Sequence, residues 1–163
     1  MNKETYLQQR FTMFQYIIYE KQIEYNEFIS NYPIKRRSYN STNIKSDKII
    51  FSTRLNQINK IINLLNINCR YTYVDEYKLL TYYYIYNGRI TFDTKKLTLK
   101  QRKEYRLEII FLYLYTNKPL SPCTFKRLFN YNKRDTYNSI IQLKQIIRGE
   151  IIKQNNIYIL LDY

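Results

Sequence analysis

Lys133, Arg134, Tyr137 and Asn138 lie close together, and their side chains suit the edges of bases and the oxygens of phosphates. An arginine fork can bond both acceptors of guanine, an asparagine amide can do the same for adenine, and a lysine ammonium fits a phosphate oxygen. Thr136, Ile140, Leu143 and Ile147 recur at spacings of four, three and four in the same stretch. A helix from about Lys133 would bury that stripe and leave the four polar residues outward. Lys153 follows in a second setting: Ile151-Ile152-Lys153-Gln154 and Ile157-Tyr158-Ile159-Leu160 flank Asn155-Asn156. That pattern reads as a β-hairpin, with Lys153 near its tip.

The elements that must hold these residues are legible just upstream. Leu107, Ile110, Phe111 and Leu114 form the apolar stripe of an amphipathic helix that ends by Pro119. Ser121-Pro122 opens the next helix, a capping residue followed by proline at the first helical position. Phe125, Leu128 and Phe129 mark its buried face. Asn130-Tyr131-Asn132 then makes a tight turn, because asparagine tolerates a left-handed backbone and can cap the helix after it. Three short helices and a hairpin, from Leu107 to Tyr163, are the order of a winged helix-turn-helix.

Charge points the same way. The 163 residues carry 27 Lys and Arg against 13 Asp and Glu, a net of +14, which favours a polyanionic partner. The chain has no alanine, a single valine at Val74 and 20 tyrosines. AT-rich codons account for that bias, so the tyrosines by themselves say little about base stacking. No exposed aromatic pair on an open sheet is evident, which disfavours RNA; the Tyr82-Tyr83-Tyr84 run could make one, although strand alternation sends Tyr83 to the opposite face. With no histidine and only Gly88 and Gly149, the chain lacks the usual general base and any phosphate-cradling glycine loop. Asp75-Glu76 reads as a turn, while Cys69 and Cys123 have neither metal-ligand nor disulfide-framework spacing. The expectation is therefore no enzyme, no metal and no cofactor. The longest apolar run, Ile109–Tyr115, is too short to span a membrane, and the polar start lacks a signal peptide's apolar core. A cytoplasmic protein is expected.

The N-terminal half reads as a second, looser copy. Leu7, Phe11, Phe14 and Ile18 define one helix from Tyr6 to about Glu20, and Tyr25, Phe28 and Ile29 a short second one before Pro33. A basic polar loop covers Asn31 to Asp47. Leu55, Ile58, Ile61, Ile62 and Leu65 make a third helix, with Ser52 or Thr53 as its cap. Arg70–Val74, Tyr77–Tyr86 and Arg89–Phe92 alternate as strands, joined by turns at Asp75-Glu76 and Asn87-Gly88. Leu97–Asn117 is expected as one long helix linking the copies, with Lys100, Arg102 and Lys103 on its exposed start. The fold class expected is α+β, mostly helical: two tandem winged helix-turn-helix modules, 1–96 and 97–163, joined by that helix.

The segment Leu120-Ser121-Pro122-Cys123-Thr124-Phe125-Lys126-Arg127-Leu128-Phe129 through Asn132-Lys133-Arg134-Asp135-Thr136 to Ile140-Ile141-Gln142-Leu143 resembles the helix-turn-helix of DeoR-type and Mga-type bacterial regulators. Ser52-Thr53-Arg54-Leu55-Asn56-Gln57-Ile58-Asn59-Lys60-Ile61 is similar to the matching pattern in the first of two tandem modules. The resemblance implies a recognition helix that begins near Asn132 and enters the major groove. It gives Ser52, Thr53, Arg54 and Gln57 the corresponding outward places in the first copy, and lets Lys153 touch phosphate or the minor groove. The implied function is sequence-specific binding of double-stranded DNA by a transcription regulator of a low-GC bacterium or its mobile element. Two alternatives are a plasmid or phage replication initiator and a small anti-defence interaction protein. A homodimer and a protein partner are left open, and no membrane partner is expected.

Overall fold

The computed structural model describes residues 3–32, 44–75 and 79–162. In chain order these form α1 (Lys3–Glu20), β1 (Gln22–Glu24), α2 (Tyr25–Asn31), α3 (Ile44–Leu64), β2 (Cys69–Val74), β3 (Thr81–Tyr86), α4 (Leu99–Glu104), α5 (Arg106–Tyr115), α6 (Pro122–Phe129), α7 (Lys133–Lys144), β4 (Glu150–Gln154) and β5 (Ile157–Leu161). The fold is α+β and mostly helical, with small antiparallel sheets. It divides into two compact units: Met1–Asn63 with Asn68–Gly88, and Leu64–Ile67 with Arg89–Tyr163. Residues 89–96, expected with the first module, belong to the second unit. No helix among the described residues is long and apolar enough to cross a membrane.

In the first unit α1 buries Leu7, Phe11, Phe14 and Ile18, as their spacing requires. Lys21 adopts a left-handed φ of 60° and turns the chain into β1, where only Ile23 is buried. Glu24 then caps α2, its carboxylate accepting from the amides of Asn26 and Glu27. The sheet order is β1-β3-β2, so β3 lies between the other two strands. That arrangement corrects the expected strand at Arg89–Phe92, which is not a strand. Both edges of β3 are already paired, so no neighbouring place is left for residues after the Asn87-Gly88 bend. Tyr77–Tyr86 shortens to β3, and residues 76–78 lie outside the described residues.

Two further expectations change in α3 and in the basic loop. Ser52 and Thr53 do not cap α3, which begins at Ile44. Phe51, fully buried, carries the apolar stripe a turn further back than Leu55, and the Thr53 hydroxyl bonds the Ile49 carbonyl from within the helix. Of the expected Asn31–Asp47 loop, residues 33–43 lie outside the described residues, and Ile44 to Asp47 are helical.

In the second unit the expected single helix from Leu97 to Asn117 is two helices, broken at Tyr105 with φ −100° and ψ 23°. Their surroundings differ. No side chain of α4 is buried, whereas every residue of α5 from Leu107 to Leu114 is. An amphipathic stripe was expected for α5, but a helix apolar on nearly all sides must lie inside the unit. Arg102, expected on the exposed start, instead donates to the carbonyls of Leu128 and Leu97 and ties α4 to the end of α6. Arg106 donates to Gln142 on α7 at 3.1 Å.

The remaining elements of this unit form largely as their local chemistry dictates. Ser121 and Thr124 make a reciprocal capping box at the start of α6, with Pro122 in the first turn. Asn130 ends that helix in the left-handed region, and Asn132 caps α7 by accepting from the Asp135 amide at 2.8 Å. Asn155 and Asn156, both with positive φ, turn β4 into β5. The Leu120 carbonyl accepts from the Tyr158 amide at 2.9 Å, so the segment before α6 joins the hairpin.

The two glycines should respond differently to an added methyl. Gly149 has φ 98°, and a Cβ there would collide with the Leu161 carbonyl. Gly88 has φ 77° with open space around it. Gly149→Ala is expected to cost upward of about 2 kcal/mol, and Gly88→Ala about 1 kcal/mol. Denaturant melts of the two variants check this, and equal losses would contradict it.

Candidate functional site

The site is built on the second unit, where α6, α7 and the β4–β5 hairpin enclose an open groove of about 680 Å³. Asn130, Tyr131 and Asn132 form its floor at the corner between the helices. Lys133 and Tyr137 line it from α7, Cys123 and Lys126 from α6, and Lys153, Asn156 and Tyr158 from the hairpin. Lys126, Lys133 and Lys153 are all exposed, and no acidic side chain is among the lining residues. The local potential is therefore positive.

Each wall is fixed by packing. Phe125 is fully buried, with Phe129 at 6.0 Å between ring centroids and Tyr158 edge-on at 5.8 Å. Tyr131 lies 5.1 Å from Phe129, and the Lys103 ammonium sits 6.0 Å over the Tyr131 ring. Lys153 extends over the Tyr158 ring at 5.4 Å. Burial pushes the Tyr158 phenol above its ordinary pKa, so it stays a neutral donor.

The structure brings together four of the residues expected from sequence: Asn132, Lys133, Tyr137 and Lys153. Asn132 serves as the cap of α7. Tyr137 is 62% exposed, far too open for a core residue. Arg134 and Asn138 do not line the groove. They are exposed on the adjoining flank of α7, in register with Ile141 at positions i, i+4 and i+7. Ile141, exposed on that flank, was not foreseen from the sequence. Sequence reasoning also missed Lys126 and Cys123, which stand one helical turn apart on α6. The exposed positions of a helix whose buried face is Phe125, Leu128 and Phe129 were the available signal.

In the first unit the expected set does not come together as an outward face. Arg54 is half-buried, its guanidinium 4.3 Å over the Tyr6 ring, with Nη1 3.4 Å from the side-chain Oε1 of Gln57 and Nε 3.5 Å from that of Gln9. Burial lowers its pKa, Arg10 adds to the effect and Tyr6 opposes it. Arg54 thus bonds Gln57 and reaches α1, Ser52 is half-buried, and only Thr53 of the four is exposed. The exposed stripe of α3 is Ile49, Thr53, Asn56, Lys60 and Asn63. Its signal was present opposite Phe51, Leu55, Ile58 and Ile62, but the misplaced helix start obscured it.

The β2–β3 sheet carries exposed aromatics: the Tyr82–Tyr84 run was legible as a possible aromatic pair, whereas its cross-strand partners Tyr71 and Tyr73 were not foreseen. Cross-strand partners Tyr73 and Tyr82 have ring centroids 5.0 Å apart, and Tyr71 and Tyr84 6.0 Å. Tyr71 and Tyr73 are 46% and 42% exposed, while Tyr84 is buried and donates to Asn59. On the opposite face Tyr83 and Ile85 are exposed beside Arg70 and Thr72.

No protein-family model, no curated protein and no solved structure matches this chain. No group of three or more His, Cys, Asp or Glu that could hold a metal occurs among the described residues.

The two cysteines give a direct check on the geometry. Cys123 is exposed on the groove wall, whereas Cys69 is half-buried and its thiol is pushed up to about 11 by burial. A raised pKa keeps Cys69 neutral until the pH approaches that value. Iodoacetamide near pH 8 is expected to modify Cys123 first and Cys69 about a hundredfold more slowly than a free thiol. Equal labelling by mass spectrometry would contradict the burial of Cys69.

Proposed function

We propose that the chain is a sequence-specific double-stranded DNA-binding protein, a transcription regulator built from two winged helix-turn-helix modules. The observation that carries this reading is the lysine-lined groove between α7 and the hairpin. A DNA strand would run along it, with α7 in the major groove and the Asn155-Asn156 turn toward the neighbouring minor groove. Lys126, Lys133 and Lys153 would then meet phosphates, and Arg134, Asn138 and Ile141 would reach base edges. The order of elements supports the module reading. In the first unit a helix, an extended segment, two helices and a hairpin succeed one another, and the second unit follows the same order once α4 is passed; in both the extended segment bonds the last strand. Charge supports it too: the second unit holds 15 Lys and Arg against 6 Asp and Glu.

A second reading rests on the first unit, where Tyr83 and Ile85, at 42% and 60% exposure, put apolar surface beside Arg70 and Thr72. That face suits a protein partner, and a complex that survives nuclease treatment would favour it over DNA.

Duplex affinity is expected to fall steeply with salt, with a log–log slope of about −5 for roughly six phosphate contacts. A flat response would argue that the positive charge serves something else. Arg134→Ala should lose about 1–3 kcal/mol on the preferred site and relax discrimination at one base pair. Lys153→Ala should weaken all duplexes alike and flatten the slope by about one unit. Competition with specific and scrambled duplexes separates the two effects. An unchanged specificity ratio in folded Arg134→Ala would overturn the assigned reading face.

A further inference from the structure

A second recess, of about 330 Å³, opens on the second unit away from the groove residues, and three of its seven lining residues are cations. Lys95, Lys118 and Arg127 face it, together with Asp93 and Thr94. None of the three cations forms an ion pair with a carboxylate among the described residues.

The recess is rigid because the chain around it is tied down on each side. Phe92 is buried and meets Tyr113 edge-on at 5.2 Å, which anchors the start of the segment. The Asp93 amide donates to the Leu65 carbonyl at 2.7 Å, and the Asp93 carboxylate accepts from the Lys95 amide at 2.8 Å. On the other side Asn117 turns left-handed with φ 57°, and the Lys118 amide bonds back to the Tyr113 carbonyl. That turn returns the Lys118 ammonium over the rings of Phe92 and Tyr113, at 4.4 and 5.7 Å. Arg127 completes the recess from α6, next in sequence to Lys126 of the groove.

Three cations held around one polar recess repel one another unless an anion joins them. Asp93 offsets one charge and is already committed to the Lys95 amide, which leaves two positive charges. We infer that this recess binds a phosphate oxyanion, with the Arg127 fork as the bidentate donor and Lys118 and Lys95 as point charges. The charge balance matches a phosphate group near its dianionic form. Such a group could come from a free phosphate or phosphate monoester, or from a nucleic-acid backbone.

The test is a titration of the 15N-labelled full chain with inorganic phosphate at constant ionic strength, read by amide shifts. Saturable shifts are expected at Thr94, Lys95 and Lys118, and the dissociation constant should rise about tenfold in Arg127→Gln and in Lys118→Gln. Shifts that never saturate, or equal affinity in both folded variants, would overturn the site. Duplex binding by Arg127→Gln then names the source. A loss that phosphate competition reproduces assigns the site to the DNA backbone, and unchanged duplex affinity assigns it to a free phosphate ligand. Either result upholds the oxyanion site. The titration contains no DNA, so it stands even where the DNA-binding reading fails.

Discussion

The groove of the second unit depends on Tyr158. Its amide holds the Leu120 carbonyl, its ring packs against Phe125, and the same ring carries Lys153. Leu120 directly precedes the Ser121 cap of α6, so this one residue sets how far the hairpin stands from the helices. The Asn130–Asn132 corner then passes that placement on to α7. A buried aromatic edge contact and a backbone hydrogen bond are each modest in net terms, about 1 kcal/mol. Acting on the same residue they give the hairpin a single position, as the proposed reading of a duplex would require.

The first unit meets the same requirement with different parts. Three residue pairs join β1 to β3 where the second unit has one amide–carbonyl bond, and Tyr25, Phe28 and Phe51 close the core beneath. The cost falls on its surface chemistry. Arg54 is drawn inward over Tyr6, so the outward stripe of α3 keeps Lys60 as its sole exposed cation among the described residues. The two units share an order of elements but not a distribution of charge, and the second is the better suited to a polyanion.

How much the sequence disclosed depends on the range of each interaction. Caps and turns act over a few residues, so Ser121-Pro122, Asn130, Asn132 and Asn155-Asn156 were legible from residue type alone. The stripe of α7 was legible because Thr136, Ile140 and Leu143 alternate with polar residues. Partners distant in sequence were not. β1 is three residues long and acquires its identity only by pairing with β3, and the same pairing takes the place beside β3 that Arg89–Phe92 was expected to fill. The start of α3 was hidden because Ser52 and Thr53 look like caps and are helical only because Phe51 is buried before them. The break at Tyr105 went unseen because the apolar run of α5 continues the helical pattern without a proline or glycine. The groove itself was half legible: the α7 and hairpin residues stood out, whereas Lys126 and Cys123 became neighbours of Lys153 only through the Tyr158 contact.

On the function proposed above, duplex DNA occupies the groove between α7 and the hairpin. Cys123 lies on the wall of that groove and Cys69 does not, so the alkylation rates of the two thiols with and without saturating duplex test it most directly. A specific duplex is expected to protect Cys123 and to leave the rate at Cys69 unchanged. Undiminished labelling of Cys123 under saturating duplex would contradict it.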